Sequence, residues 1–440
     1  MFTQQSVSAP TAVASALLLP RSIEELVGLD QLLKKRGVEF VSPDYRELFE
    51  SSERMVRLAN SSVCVFRHED LRTLGANANV ANLPLDVFMP LTFGGSADHP
   101  LRPDESGQIR RFQSNQFFTV EPGSHRLLKP LFVKPLLPKE MPPFVSIAEG
   151  LTRSLIDQYA DAGEFDLVSD FCGRLGVEFW GRVFKMTDEE VAAMQQIMIG
   201  MAPVSVPGAR GRDELVVLNQ TIPDYFDLLR RVMLRAQESG QHIFLNRLAE
   251  EFWRPEKNLA LLVEGPEIFM AANMIDGFHA MGVGISNSVY QLALNPDAFS
   301  AVRENEALAD VAVNEALRLN SPVAAINRLV LEDMEYDGLS LPAGTVMMLH
   351  WAAGNRDPEV HEKPSQYDLN RPQVPLTTFG GGAQLCPGRN LSRALAAQVV
   401  KLLATSGVRM RIVGDVEWIA DRATISMQYP SRVPIVLERL

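Results

Sequence analysis

The longest apolar stretch with helical spacing in this sequence is PEIFMAANMIDGFHAMGVGISNSVYQLALNP, residues 266–296. It constrains the fold more than any other feature. It carries Gly277, Gly282 and Gly284, each costing roughly 1 kcal/mol relative to alanine in a helix interior. Glycines kept in such a helix mark a kink or a close approach to something flat and bulky. Helical patterns also dominate from 124 to about 250, among them IAEGLTRSLIDQYADAG at 147–163, and a further helix covers 308–320. Shorter helices are expected over 43–52 and 68–75. Strand-like segments are short and clustered: a hairpin at 54–67, several strands over 326–349, and more over the tail at 408–440. Residues 76–118 read as loop-rich, with FGGSADHPLRPDESG at their centre. No alternating strand–helix series appears, which excludes a doubly wound sheet. The expected class is mainly α with small β-sheets, an α+β chain.

The chain has 440 residues with 42 basic and 54 acidic side chains, a net charge of −12. So acidic a chain is a poor partner for nucleic acid or an anionic membrane. Its three cysteines, Cys64, Cys172 and Cys386, are too few for a disulfide scaffold and fit a reducing, cytoplasmic setting. No CxxC pair or HExxH is present, so zinc and iron–sulfur sites lack support. The apolar stretch near 12–19 is too short to span a bilayer and has no basic flank before it. Residues 1–40 are read as a partly disordered leader and 41–440 as a single domain.

Cys386 lies in TTFGGGAQLCPGRN, residues 377–390, just before the helical run RNLSRALAAQVVKLLA. Four roles compete for a lone cysteine there: an inert buried thiol, a nucleophile, a redox sensor, and an axial ligand to haem iron. The last needs backbone N–H donors around the sulfur, which glycines and a following helix N-terminus supply.

Phe379, Gly382, Cys386 and Gly388 stand in the pattern F-x-x-G-x-x-x-C-x-G. This resembles the haem-binding loop of the cytochromes P-450, the haem–thiolate oxygenases. Other motifs follow in the family's order. EALR supplies Glu315 and Arg318, three apart on one helix face. YDLNR supplies Arg371, NRDPEVHEKPSQYDLNRP resembles the stretch between, and EPGSHRLLKPLF and VCVFRHEDLRTLG resemble N-terminal segments. The resemblance runs from about residue 40 to the end. It implies a helix-rich triangular prism, with heme b (iron-protoporphyrin IX) between the long central helix and the cysteine-loop helix.

By that resemblance Cys386 is the metal ligand, a thiolate that pushes electron density onto iron. Phe379 packs beside the sulfur, and Gly382, Gln384 and Gly388 shape the cofactor loop. Glu315, Arg318 and Arg371 hold that loop. His125, Lys129 and Arg328 face the haem propionates. Gln384 replaces the usual histidine or arginine, and Leu376 stands where many bacterial members have a histidine. The family's acid–alcohol pair falls on His279 and Ala280, preceded by Asp276-Gly277. Alanine cannot hold a proton donor in place, so the catalytic set Asp276, His279 and Ala280 points to a rebuilt relay or to a hydroxyl borrowed from the substrate. The pocket is expected from the 85–118 segment, residues near 272–280, and Val323, Ala324, Ala325, Ile326 and Asn327. Val323, Ala324, Ala325 and Ile326 suit an apolar, natural-product-like substrate, with Asn327, Asp276 and His279 as candidates for polar recognition of a hydroxyl, amine or carboxyl on it.

Implied partners are the substrate, O2, and an external ferredoxin and ferredoxin reductase fed by NAD(P)H. Arg126, Arg389 and Arg393 are candidates for the basic docking patch. Two further readings stand beside the monooxygenase. One is a haem–thiolate enzyme of another reaction type: peroxygenase, oxidative coupling, cyclisation or desaturation. The other is a non-catalytic haem-binding module that recruits partners.

Overall fold

A computed structural model describes residues 21–440 apart from 38–41, 43, 94–102, 118, 206–210, 241–242 and 421–427. The first half of the expected leader, the centre of the expected long loop and part of the tail lie outside the described residues.

Twelve short strands form four small sheets: β1 (Met55–Arg57), β2 (Val63–Val65), β3 (Val80–Ala81), β4 (Phe165–Asp166), β5 (Ile326–Val330), β6 (Met334–Tyr336), β7 (Leu339–Leu341), β8 (Val346–Leu349), β9 (Val408–Ile412), β10 (Glu417–Ala420), β11 (Gln428–Arg432) and β12 (Pro434–Arg439). The largest sheet has the order β1-β2-β8-β5-β3, and β4-β12-β9, β10-β11 and β6-β7 make the others. The hairpin β1–β2 pairs Met55 with Val65. Its turn uses Ser61 at φ 63, and the Asn60 carboxamide oxygen accepts from the Ser62 N–H at 3.2 Å. Asparagine and serine favour such turns because they bond their own backbone. The strand β2 is buried along its length because β8 covers it in parallel and one cluster packs on each face of the sheet.

Helices supply the bulk: α1 (Leu29–Arg36), α2 (His68–Ala76), α3 (Leu85–Phe93), α4 (Pro103–Ser114), α5 (Pro122–Leu128), α6 (Met141–Tyr159), α7 (Arg174–Phe184), α8 (Asp188–Ser205), α9 (Arg212–Ser239), α10 (Pro266–Leu294), α11 (Ala309–Leu319) and α12 (Arg389–Thr405). Two findings depart from the sequence reading. Residues 21–37, inside the expected leader, are ordered: Gly28 bridges Arg57 and α1 buries Leu29 and Leu32. The stretch at 76–118 is not chiefly loop, since β3, α3 and α4 fall within it. Pro90 inside α3 and Gly107 inside α4 disguised the helical pattern there.

The helix α10 starts with Pro266 at its first turn, after Gly265 at φ 99, and stops before Asn295 and Pro296. Proline suits both places because it needs no helical N–H partner at a helix start. The glycines of α10 serve close packing. A Cβ on Gly277 would stand 3.3 Å from the Trp180 indole, which is the flat, bulky neighbour. A Cβ on Gly282 would stand 3.2 Å from the Cys172 carbonyl oxygen. From the other side, a Cβ on Gly176 would meet the Phe278 carbonyl at 2.9 Å. So α7 and the π-helical turn before it press backbone to backbone on α10. Among the described residues α10 is the one helix long and apolar enough to cross a membrane, and 72% of that window is buried inside the protein.

Candidate active site

The cysteine loop is fixed by its glycines and by what lies under it. Gly380 and Gly382 adopt φ 70 and φ 57, which side chains other than glycine resist. A Cβ on Gly382 would stand 2.7 Å from both the Gly75 carbonyl oxygen and Ala76 Cα at the end of α2. The Cys386 N–H donates to the Phe379 carbonyl at 2.9 Å, closing the loop. Burial pushes the Cys386 thiol up, and the nearby Asp276 carboxylate adds to that; the Gly388 N–H, Lys129 and Arg389 oppose it. The sulfur thus has a backbone donor and two cations beside it.

Below the loop sits a buried ionic network. Arg318 donates from Nε and Nη2 to the two Glu315 oxygens at 2.8 Å each, and Arg371 Nε donates to Oε1 at 3.1 Å. Arg318 also bonds the carbonyls of Asn355, Pro364 and Gln366. Asn355 passes the order on: its Nδ2 donates to Thr378 Oγ1 at 2.7 Å and its Oδ1 accepts from the Thr377 N–H at 2.8 Å. The helix α11 is thereby tied to the start of the cysteine loop. Buried charges need such full pairing.

Opposite the loop is the middle of α10. Its flanks are buried, yet Asn273, Asp276, Gly277, His279 and Ala280 keep partial exposure. Their spacing is one helix face. Across from them Cys386 to Asn390 are partly exposed too. Partial exposure of both surfaces inside an otherwise buried core fits an internal space between them, and Asp276 is near enough to Cys386 to raise its thiol. Burial lifts the Asp276 carboxyl to about 6 and lowers His279 to about 4.

Three basic side chains, His125, Lys129 and Arg328, gather beside this face. His125 is buried and lowered to about 4, first by burial and then by Lys129 and Arg328. Lys129 is lowered to about 8 by burial, with Arg328 and Arg389 adding; its Nζ donates to the Ala383 carbonyl. Arg328 is buried, lowered to about 10, and bonds the Asn327 carbonyl at 2.9 Å. None of the three has a carboxylate partner among the described residues. Two cations, Lys129 and Arg328, gathered beside a neutral histidine and without an anion fit the propionates of a haem. Gln384 lies partly exposed in the short helical turn Gly382–Gln384, and Leu376 packs on the core.

Other expected residues are less well gathered. Ala324 and Ala325 are buried in the cluster on one face of the large sheet, whereas Val323, Ile326 and Asn327 keep partial exposure. Arg126 is exposed, but Arg389 and Arg393 are only partly so, and Arg393 Nε is buried without a hydrogen bond. Reading the sequence missed three side chains that brace α10. Tyr225 Oη donates to the Ala271 carbonyl at 2.8 Å, Gln116 Nε2 to that of Ala272 at 2.9 Å, and Trp180 Nε1 to that of Gly277 at 2.9 Å. Tyr225 and Trp180 sit at apolar helical positions, where an aromatic used for its polar tip looks like one used for bulk.

The fold is that of the haem–thiolate oxygenases. P450BioI, solved with an acyl carrier protein bearing hexadec-9Z-enoic acid, superposes at TM-score 0.75 with 19% identity, over 90% of this chain and 98% of its own. Epothilone D-bound P450epoK gives TM-score 0.75 and 17% identity over 90% and 95%. Residues 264–403 match the family model "Cytochrome P-450". Among curated relatives, luteothin monooxygenase of Streptomyces thioluteus is 25% identical, over 81% of this chain and 86% of its own length. A C-19 steroid 1alpha-hydroxylase of Sorangium cellulosum is 24% identical, over 72% and 75%. Together these matches support a bacterial-type cytochrome P-450, an oxygenase of a family that carries haem.

Proposed function

We propose that this protein is a haem b monooxygenase, ligated through Cys386, that oxidises a small and largely apolar secondary metabolite with electrons from an external ferredoxin and its NAD(P)H-dependent reductase. The observation that carries this reading is a loop cysteine under a backbone N–H, facing a helix face across a space rimmed by unpaired cations. Bound through a thiolate, haem supplies dioxygen activation. The protein's part is to hold, shield and deliver protons. Cys386 receives the iron, with Gly388 and the cations beside it favouring the thiolate. Phe379 shelters the sulfur, and Gly382 lets the loop lie on α2. His125, Lys129 and Arg328 take the propionates, and Gln384 adds a neutral donor where the family has a cation. Small apolar side chains such as Val323 and Ile326 suit the substrate class, which also agrees with the natural-product ligand named for P450epoK and the steroid named for the Sorangium relative.

Proton management departs from the family pattern. Ala280 has no hydroxyl, so no side chain there orients a water. His279, held near 4 by burial, is neutral at physiological pH and serves as a hydrogen-bonding group rather than a proton carrier. Asp276, at about 6, exchanges protons near neutrality from the same helix face. Delivery runs through Asp276 with His279 as a hydrogen-bonding group, or through a group of the substrate that fills the gap left by Ala280.

The experiment is turnover of the holoenzyme with ferredoxin, reductase and NAD(P)H, compared with peroxide alone. Substrate consumption with the former supports a monooxygenase; consumption only with peroxide overturns it. Ala280→Thr is expected to change the ratio of product formed to NAD(P)H consumed, and an unchanged ratio removes any proton role from this position.

A further inference from the structure

Asp276 is a partly exposed carboxylate within the core that the described residues leave without a donor. Among the described residues it has neither an ion pair nor a hydrogen bond to its side chain. The polar groups around it are committed elsewhere. Gln116 Nε2 is on the Ala272 carbonyl, Tyr225 Oη on that of Ala271, and Trp180 Nε1 on that of Gly277. Asn273 Nδ2 is on the carbonyls of Asn115 and Phe269 at 2.8 Å each, and its Oδ1 accepts from the Phe117 N–H. The basic side chains His125, Lys129 and Arg328 stand together at the edge of the space, and none is within ion-pair distance of Asp276.

The same bonds brace the stretch of helix that carries the carboxylate. The Ala272 carbonyl lies four residues before Asp276, where the helical N–H of residue 276 bonds. A side chain from outside the helix grips that carbonyl, and another grips Gly277 next to Asp276. Three elements, α7, α9 and the segment 115–117, thus fix this part of α10, and Asp276 lies on its partly exposed face. A carboxylate shielded from water and lacking donors is costly unless a charged partner arrives. A preorganised one is a specific receptor for such a partner.

We infer that Asp276 is a specificity-determining residue that binds a cationic nitrogen of the substrate, a protonated amine or guanidinium bearing N–H donors. This rests on the reading of the α10 face as the substrate side of the haem site. An ammonium seated on Asp276 also brings N–H groups to the helix face of Ala280, four residues on, where the alanine side chain offers none.

The test uses the haem-loaded protein and three probes of equal chain length: octylguanidinium, octanol and octanoate. Guanidinium is chosen because it stays protonated and cannot ligate iron through nitrogen. Titration calorimetry of the wild type should rank octylguanidinium at least tenfold tighter than octanol, with octanoate weakest. Asp276→Asn should abolish the tenfold preference and leave octanol affinity unchanged, and Asp276→Glu should keep the preference. Equal affinity of cation and alcohol for the wild type, or a preference that survives in Asp276→Asn, overturns the inference. The haem content and reduced carbon-monoxide spectrum of each sample are read separately. A wild type without thiolate-bound haem refutes the underlying site reading and this inference with it; a normal spectrum with no cation preference refutes the inference alone.

Discussion

Arg328 carries a buried charge for which the described residues offer one backbone carbonyl and no carboxylate. His125 and Lys129 make the deficit worse, since each lowers or is lowered by its neighbours. Charge-assisted hydrogen bonds are worth about 1.5–3 kcal/mol each. Arg328→Leu should therefore speed haem loss to apomyoglobin by roughly tenfold to a hundredfold, and Lys129→Arg should leave it near the wild-type rate. An unchanged rate in Arg328→Leu would mean that the cations serve another anion. These residues were legible in the sequence through their neighbours in the motifs, not through their own chemistry. A lone histidine or arginine carries no sign that its partner lies outside the chain.

The cysteine loop and α10 were the most legible parts, because both break local rules. Three consecutive glycines before a proline-flanked cysteine make no sense as helix or strand, and a glycine-bearing apolar helix demands close neighbours. The structure names those neighbours: Gly75 and Ala76 under Gly382, Trp180 beside Gly277, and Cys172 across from Gly282. Gly382→Ala meets both a φ of 57 and backbone atoms at 2.7 Å, which cannot move aside as a side chain would. It should cost about 1–3 kcal/mol and leave the purified protein largely haem-free, read as the ratio of Soret to protein absorbance; full haem occupancy would show that the loop does not rest on α2. The helices α3 and α4 were not legible, because an internal proline or glycine masks the period on which helix reading depends.

The sheet order β1-β2-β8-β5-β3 joins strands nearly three hundred residues apart, and no local pattern announces such pairing. The network that binds these distant segments was legible only as a motif; its carbonyl partners Asn355, Pro364 and Gln366 have no residue signature, since any side chain leaves its backbone oxygen available. The packing of these segments also sets an acid limit. His361 is buried with neither ring nitrogen bonded, and burial foremost lowers it to about 4. Between pH 6.5 and about 4 the unfolded chain takes up a proton that the folded one refuses, so stability is lost as pH falls. In urea unfolding, His361→Phe should reduce the loss between neutral pH and pH 5 by about 1–2 kcal/mol; an unchanged loss would place the acid sensitivity elsewhere. All of this chemistry depends on sulfur at residue 386 holding iron. The direct measurement is the absorption spectrum of the reduced, haem-loaded protein with carbon monoxide. A Soret band at the long wavelength typical of thiolate ligation, lost in Cys386→Ser, is the predicted result; a band typical of a neutral nitrogen ligand, or one indifferent to Cys386→Ser, would contradict it.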